Sequence, residues 1–191
     1  MIFRIAGMLL VRPLFRLRFS GRENIPQKGA LIICCNHISY FDPVALALGV
    51  RRRIRFIAKS EFFTSRDPAV RFFFTAMGVI PIRRESSDTG AVNEAQRLLR
   101  NGEVIGIFPQ GRIVRETAAF EPKAGAALLA VKTGAPVLPV SIFAKGKIRL
   151  FSKITVNIGK PVQPPDDASL RAAREFSEVI KKSIIDLQEV P

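Results

Sequence analysis

Apolar residues recur along this chain in short runs, and most runs are followed by a stretch with helical spacing. Largely apolar stretches at 30–35, 54–58, 79–82, 104–108, 137–143 and 154–158 have the length of strands. Between them, 43–48 predicts a short helix with Pro43 in its first turn, and 68–77 predicts another closed by Gly78. Over 88–100, Val92, Ala95 and Leu99 share one helical face, and the pattern stops at Asn101-Gly102. Residues 124–133 are almost all small or apolar, which predicts a buried helix ended by Gly134. After a short hinge at 161–165, the tail over 168–187 repeats Leu170, Ala173, Phe176, Ile180, Ile184 and Leu187, the spacing of an amphipathic helix. Strands alternating with helices predict one α/β domain: a mixed, largely parallel sheet flanked by helices.

The N-terminus breaks this pattern. Arg4, Arg12, Arg16 and Arg18 flank Phe3, Leu10, Leu14 and Phe15, the make-up of a basic helix lying in the lipid headgroup plane. The expected division is therefore an interfacial amphipathic helix at 1–19 and the α/β domain at 20–191. The alternative is a first helix packed on the core with its arginines outward. The uncharged apolar stretch at 5–11 is far shorter than the roughly 20 residues that span a bilayer, and no small-residue cleavage site follows it.

Charge sharpens the picture. Residues 1–84 carry 15 Lys+Arg against four acids, whereas residues 85–191 carry 15 against 12, within a net charge of +14. One half of the protein thus faces something anionic, a membrane surface or a nucleic acid. A nucleic-acid-binding module suits the charge, but the chain has one Tyr, no Trp and no recognised nucleic-acid-binding signature, so no nucleic-acid partner is expected. Cys34 and Cys35 are adjacent in an apolar run and read as small buried hydrophobes. With a single His and no metal-ligand spacing, no metal or cofactor is implied, and a reducing compartment is the default.

That single His, His37, stands in Asn36-His37-Ile38-Ser39-Tyr40-Phe41-Asp42-Pro43, just past a strand. In open α/β sheets the strand C-termini are where ligands bind. An imidazole there can act as a general base, and Asp42 can fix its tautomer and balance the imidazolium. Asp42 reads equally well as the N-cap of the helix that follows. Ser39 lacks the elbow that would expose a nucleophile. Lys59 and Arg83 each close a strand, where a cation can hold a phosphate. Phe108-Pro109-Gln110-Gly111-Arg112 describes a sharp turn beside a cation, able to hold a phosphate or an oxyanion or to be only a turn.

The order of these blocks resembles the glycerolipid acyltransferase family, whose best-known members act on lysophosphatidic acid. The blocks are Asn36-His37-x-Ser39-x-x-Asp42, Gly78-x-x-Pro81-x-Arg83, Phe108-Pro109-x-Gly111 and Val137-x-Pro139-Val140, and the likeness runs over about 21–143. The resemblance implies that His37 deprotonates the glycerol hydroxyl of a lysophospholipid while Asp42 orients it. The hydroxyl then attacks an acyl thioester, acyl-CoA or acyl-carrier protein, giving phosphatidic acid for phospholipid biosynthesis. It also implies that Arg83, Arg112 and Lys59 hold the acceptor phosphate and that the turn with Gln110 and Gly111 places the glycerol, at the cytoplasmic face of the cell membrane. Two departures stand out: Gln110 occupies a position that is usually Glu, and Gly111 is followed directly by Arg112 without the usual Thr. Gln brings hydrogen bonds but no charge, which leaves another lyso-lipid acceptor open. A hydrolase in which His37 activates water is a further reading of the same residues.

Overall fold

The computed structural model of the chain describes residues 14–76, 78–82, 89–114, 121–146 and 148–188. The described residues hold seven strands: β1 (Arg16–Ser20), β2 (Leu31–Cys35), β3 (Ile54–Lys59), β4 (Ile80–Ile82), β5 (Val104–Ile107), β6 (Val137–Ala144) and β7 (Lys153–Ile158). The helices are α1 (Asp42–Gly49), α2 (Pro68–Ala76), α3 (Thr89–Arg100), α4 (Gly125–Thr133) and α5 (Leu170–Asp186). They build one sheet in the order β1-β7-β6-β2-β5-β3-β4, with β6 and β7 antiparallel and every other neighbouring pair parallel.

The six strands and five helices expected from the apolar pattern all form, with ends displaced by a residue or two. One expectation fails at its edge. Residues 16–20 are strand β1 and not the end of a helix, and β1 pairs in register with β7 from Arg16↔Lys153 to Ser20↔Asn157. The physical reason lies in Arg16-Leu17-Arg18-Phe19-Ser20, where Leu17 is buried between exposed arginines: an alternation of period two, which suits a sheet edge. Residues 1–13, which hold the rest of the expected interfacial helix, lie outside the described residues. The hinge at 161–165 is pinned to the sheet, because the Val162 and Val137 backbones exchange hydrogen bonds of 2.7 and 2.8 Å.

β2 lies at the centre and all five of its residues are buried. Ile32 and Cys34 face the layer under α3, α4 and α5, while Leu31, Ile33 and Cys35 face the opposite layer with Ala45 and Leu46 of α1. Each fully buried aliphatic chain of this kind contributes about 1.5–3 kcal/mol of transfer free energy. Burial pushes the Cys34 thiol up to about 12. Burial raises Cys35 as well, helped by the nearby Asp42 carboxylate. Both cysteines are the neutral, buried groups the sequence implied. Because β2, β3, β4 and β5 run parallel, their C-terminal ends open onto one edge, and the segments with the candidate chemistry emerge there.

Candidate active site

His37 leaves the end of β2 held on three sides. Its Nδ1 lies 2.8 Å from Asp42 Oδ2, and the side chain of His37 is 17% exposed while that of Asp42 is fully buried. The ring stacks on Phe108 with centroids 4.2 Å apart, and Phe108 in turn stacks on Phe56 at 6.0 Å. The His37 backbone N–H donates to Gln110 Oε1, and its carbonyl accepts from the Val114 N–H at 2.7 Å.

Asp42 is the imidazole's partner rather than a side-chain cap. Phe41 occupies the N-cap position with no side-chain cap bond, and Asp42 is the first residue of α1. Its Oδ2 turns back to accept from the Ile38 N–H at 2.7 Å and the Ser39 N–H at 2.8 Å as well as from the ring. An acceptor at Nδ1 places the proton on that nitrogen and leaves Nε2 as the basic atom.

Asn36 fixes the segment from below. Fully buried, its side chain donates to the Ile142 carbonyl at 2.8 Å and accepts from the Ile142 N–H at 2.7 Å. It thereby continues β2's pairing with β6 after the β2 backbone has turned away. The sequence placed Asn36 in the motif without revealing this role, because its partner lies 106 residues away.

The turn after β5 closes with the Gly111 N–H donating to the Phe108 carbonyl at 2.9 Å. Gly111 adopts φ +68°, and a Cβ there would meet the Lys123 side chain at 3.0 Å. The Gln110 Nε2 is buried without a hydrogen-bond partner among the described residues, a spare donor beside the His37 backbone.

A cavity of about 390 Å³ starts at His37 and runs between β3, α2, α3 and α4. Phe56, Phe62, Phe74, Ile82, Val92 and Leu129 help to line its apolar interior, and Lys59, Lys123 and Gly111 stand on its wall. Among the described residues, no Asp or Glu lines it. His37, Asp42, Lys59, Gln110 and Gly111 are thus brought together. Arg112 is exposed next to the turn and does not line the cavity. Arg83 lies outside the described residues, just after β4. Lys123 is an addition, since its place before α4 read only as a helix N-terminus, and its Nζ is seated by the Gly111 turn. Among the described residues no group of His, Cys, Asp or Glu could hold a metal ion.

A family model described as Acyltransferase matches residues 16–143, from the start of β1 into β6 and across the described residues that line the cavity. The chain belongs to the acyltransferase family. Among the relatives of this acyltransferase is a 1-acyl-sn-glycerol-3-phosphate acyltransferase of Bacillus subtilis, 27% identical over 88% of this chain and 86% of its own length. An enzyme with the same description from Borreliella burgdorferi is 36% identical over 65% of this chain and 50% of its own length. The crystal structure of the 1-acyl-sn-glycerophosphate (LPA) acyltransferase of Thermotoga maritima superposes with a TM-score of 0.69 at 31% identity, covering 91% of this chain and 72% of that one. These matches decide between an enzyme and a nucleic-acid-binding module in favour of the enzyme.

Proposed function

We propose that this acyltransferase moves a fatty acyl group from an acyl thioester to the free hydroxyl of lysophosphatidic acid, giving phosphatidic acid at a membrane surface. The observation that carries the reading is the His37–Asp42 pair, 2.8 Å apart, with its ring at the mouth of an apolar cavity. The described relatives that act on 1-acylglycerol phosphate support the acceptor.

In the reaction, His37 Nε2 takes the proton of the acceptor hydroxyl as its oxygen attacks the thioester carbonyl. The C–O bond forms, a tetrahedral oxyanion results, and the C–S bond then breaks. The proton held on the imidazolium passes to the leaving thiolate, so no acyl-enzyme is needed. A general base of this kind supplies typically ~10²–10⁴-fold, because a lipid alcohol is a weak nucleophile until its proton is taken. Asp42 balances the transient imidazolium. Lys59 and Lys123 on the cavity wall provide cations for the acceptor phosphate, with Arg112 from the turn after β5 and Arg83 as the sequence motif implies. The apolar cavity accommodates an acyl chain. Either acyl-CoA or acyl-carrier protein serves as donor in this reading, and the basic first half of the chain faces anionic lipid.

His37→Ala tests it. The variant should unfold at the same temperature as the parent within a few degrees and lose acyl transfer to lysophosphatidic acid in a vesicle assay resolved by product mass. Retained transfer removes the base. Free fatty acid as the product, without a new ester, makes the chain a hydrolase instead.

A further inference from the structure

We infer that the β6–β7 hairpin, with Leu14 beside it, is the surface that seats this enzyme on an anionic bilayer; the inference rests on the proposed lipid acceptor. The hairpin belongs to the same edge as His37. β6 runs parallel to β2, and Asn36 binds Ile142, so the chain that follows Ile142 leaves the sheet alongside the catalytic loop. β7 returns with Ile154 opposite Ala144, and β1 starts with Arg16 beside Lys153. The Phe151 N–H donates to the Leu14 carbonyl at 2.7 Å, and the Phe15 ring stacks on Phe41, the neighbour of Asp42, at 4.3 Å. Leu14, the hairpin and the loop of His37 therefore form one continuous rim.

Apolar groups on this rim face water. Leu150 and Phe151 are 57% and 60% exposed, Phe143 at the end of β6 is 51% exposed, and Tyr40 in the catalytic loop is 82% exposed. With Leu14, these are five of the eight large exposed hydrophobics among the described residues. Phe151 also holds φ +66°, a left-handed conformation that a bulky residue adopts at a cost, and its ring remains in solvent.

The charges on the rim point the same way. Arg16, Lys145, Arg149 and Lys153 are exposed, and neither residues 14–20 nor residues 143–153 contain an acid. Protruding apolar side chains ringed by cations fit an anionic lipid interface, where the rings enter the headgroup region and each cation adds about fivefold to partitioning. Seated this way, the mouth of the cavity meets the lipid plane directly.

The absence of tryptophan from the chain gives a clean test. Leu150→Trp in the full-length protein should show blue-shifted emission on vesicles of phosphatidylcholine with one-quarter phosphatidylglycerol, and quenching by brominated lipid. Val179→Trp, exposed midway along α5, should show neither. Leu150→Ser with Phe151→Ser should lower partitioning to these vesicles at least tenfold in flotation. Lys145→Gln with Arg149→Gln should cut the preference over pure phosphatidylcholine by about 25-fold at physiological salt. No shift at position 150, equal shifts at 150 and 179, or unchanged flotation of the serine pair would each overturn the assignment. Turnover of a soluble short-chain lysophosphatidate below its micelle concentration tests the chemistry alone. Retained turnover without hairpin insertion fails only the docking surface, and insertion without turnover fails only the acyl-transfer reading.

Discussion

Asp42 Oδ2 accepts from three donors at 2.7–2.8 Å, two of them backbone N–H groups and one the catalytic ring. Its substitutions should therefore separate structure from chemistry. Asp42→Asn keeps an acceptor oxygen of the same shape but no charge to balance the imidazolium, so kcat should fall by about 10²–10⁴ with little change in the unfolding midpoint. Asp42→Ala leaves the Ile38 and Ser39 N–H groups without their acceptor and should add about 2–4 kcal/mol of destabilisation in urea. Equal stabilities of the two variants would show that the N–H bonds carry nothing. Asn36 responds differently, because it needs both a donor and an acceptor. Asn36→Asp sets an oxygen against the buried Ile142 carbonyl and should lower stability by at least about 2 kcal/mol. Of these two residues the motif displayed only Asp42's options. Asn36 carried no local sign of its bond to Ile142, since bonding across 106 residues leaves no mark in spacing.

At the scale of elements, β5 shows how a strand tunes the site through packing. A Cβ at Gly106 would stand 2.7 Å from both Ile54 Cγ2 and the Phe56 ring. That ring underlies Phe108, which in turn underlies His37. Gly106→Val must displace Phe56, with an overpacking cost of about 1–3 kcal/mol. We expect kcat to fall more than the loss of stability explains at temperatures well below unfolding, because the stack that holds the imidazole tilts. Steady-state kinetics and urea denaturation on the same variant check this, and an unaltered kcat would detach the stack from catalysis. The apolar runs made the central strands and the long helices legible. β1 was missed because Leu14, Phe15, Arg16 and Arg18 fit a basic helix as well as an edge strand, and the deciding contact, its pairing with β7, is non-local. Asp-Pro at the start of α1 was ambiguous for the opposite reason: both readings are local, and only the direction in which Oδ2 turns separates them.

For the whole molecule, the parallel arrangement of β2, β3, β4 and β5 gathers the motifs that follow them onto one edge. The motif order was therefore readable before the strand order was, and the strand order could not be read because pairing across the sheet leaves no periodicity. The cost of this architecture falls on its centre, where two thiols are sealed in β2. Cys34 holds its proton up to about 12, whereas an exposed thiol gives it up near 9. Below pH 9 both the native and the unfolded chain keep that proton and the full stability is present. Between about 9 and 12 only the unfolded chain releases it, so stability falls by about 1.4 kcal/mol per pH unit per thiol. Cys35 is shifted in the same direction and steepens the loss. Cys34→Ala should start less stable from its cavity, by about 1–3 kcal/mol at neutral pH. Its urea midpoint should then decline more gently from pH 8.5 to 10.5, by the equivalent of up to one proton as the pH passes 9. Lysine and tyrosine titrations are common to both proteins and cancel in the difference. Parallel slopes would mean that the Cys34 thiol meets hydroxide in the native state, and the sheet's centre would then have to open at alkaline pH before the molecule unfolds.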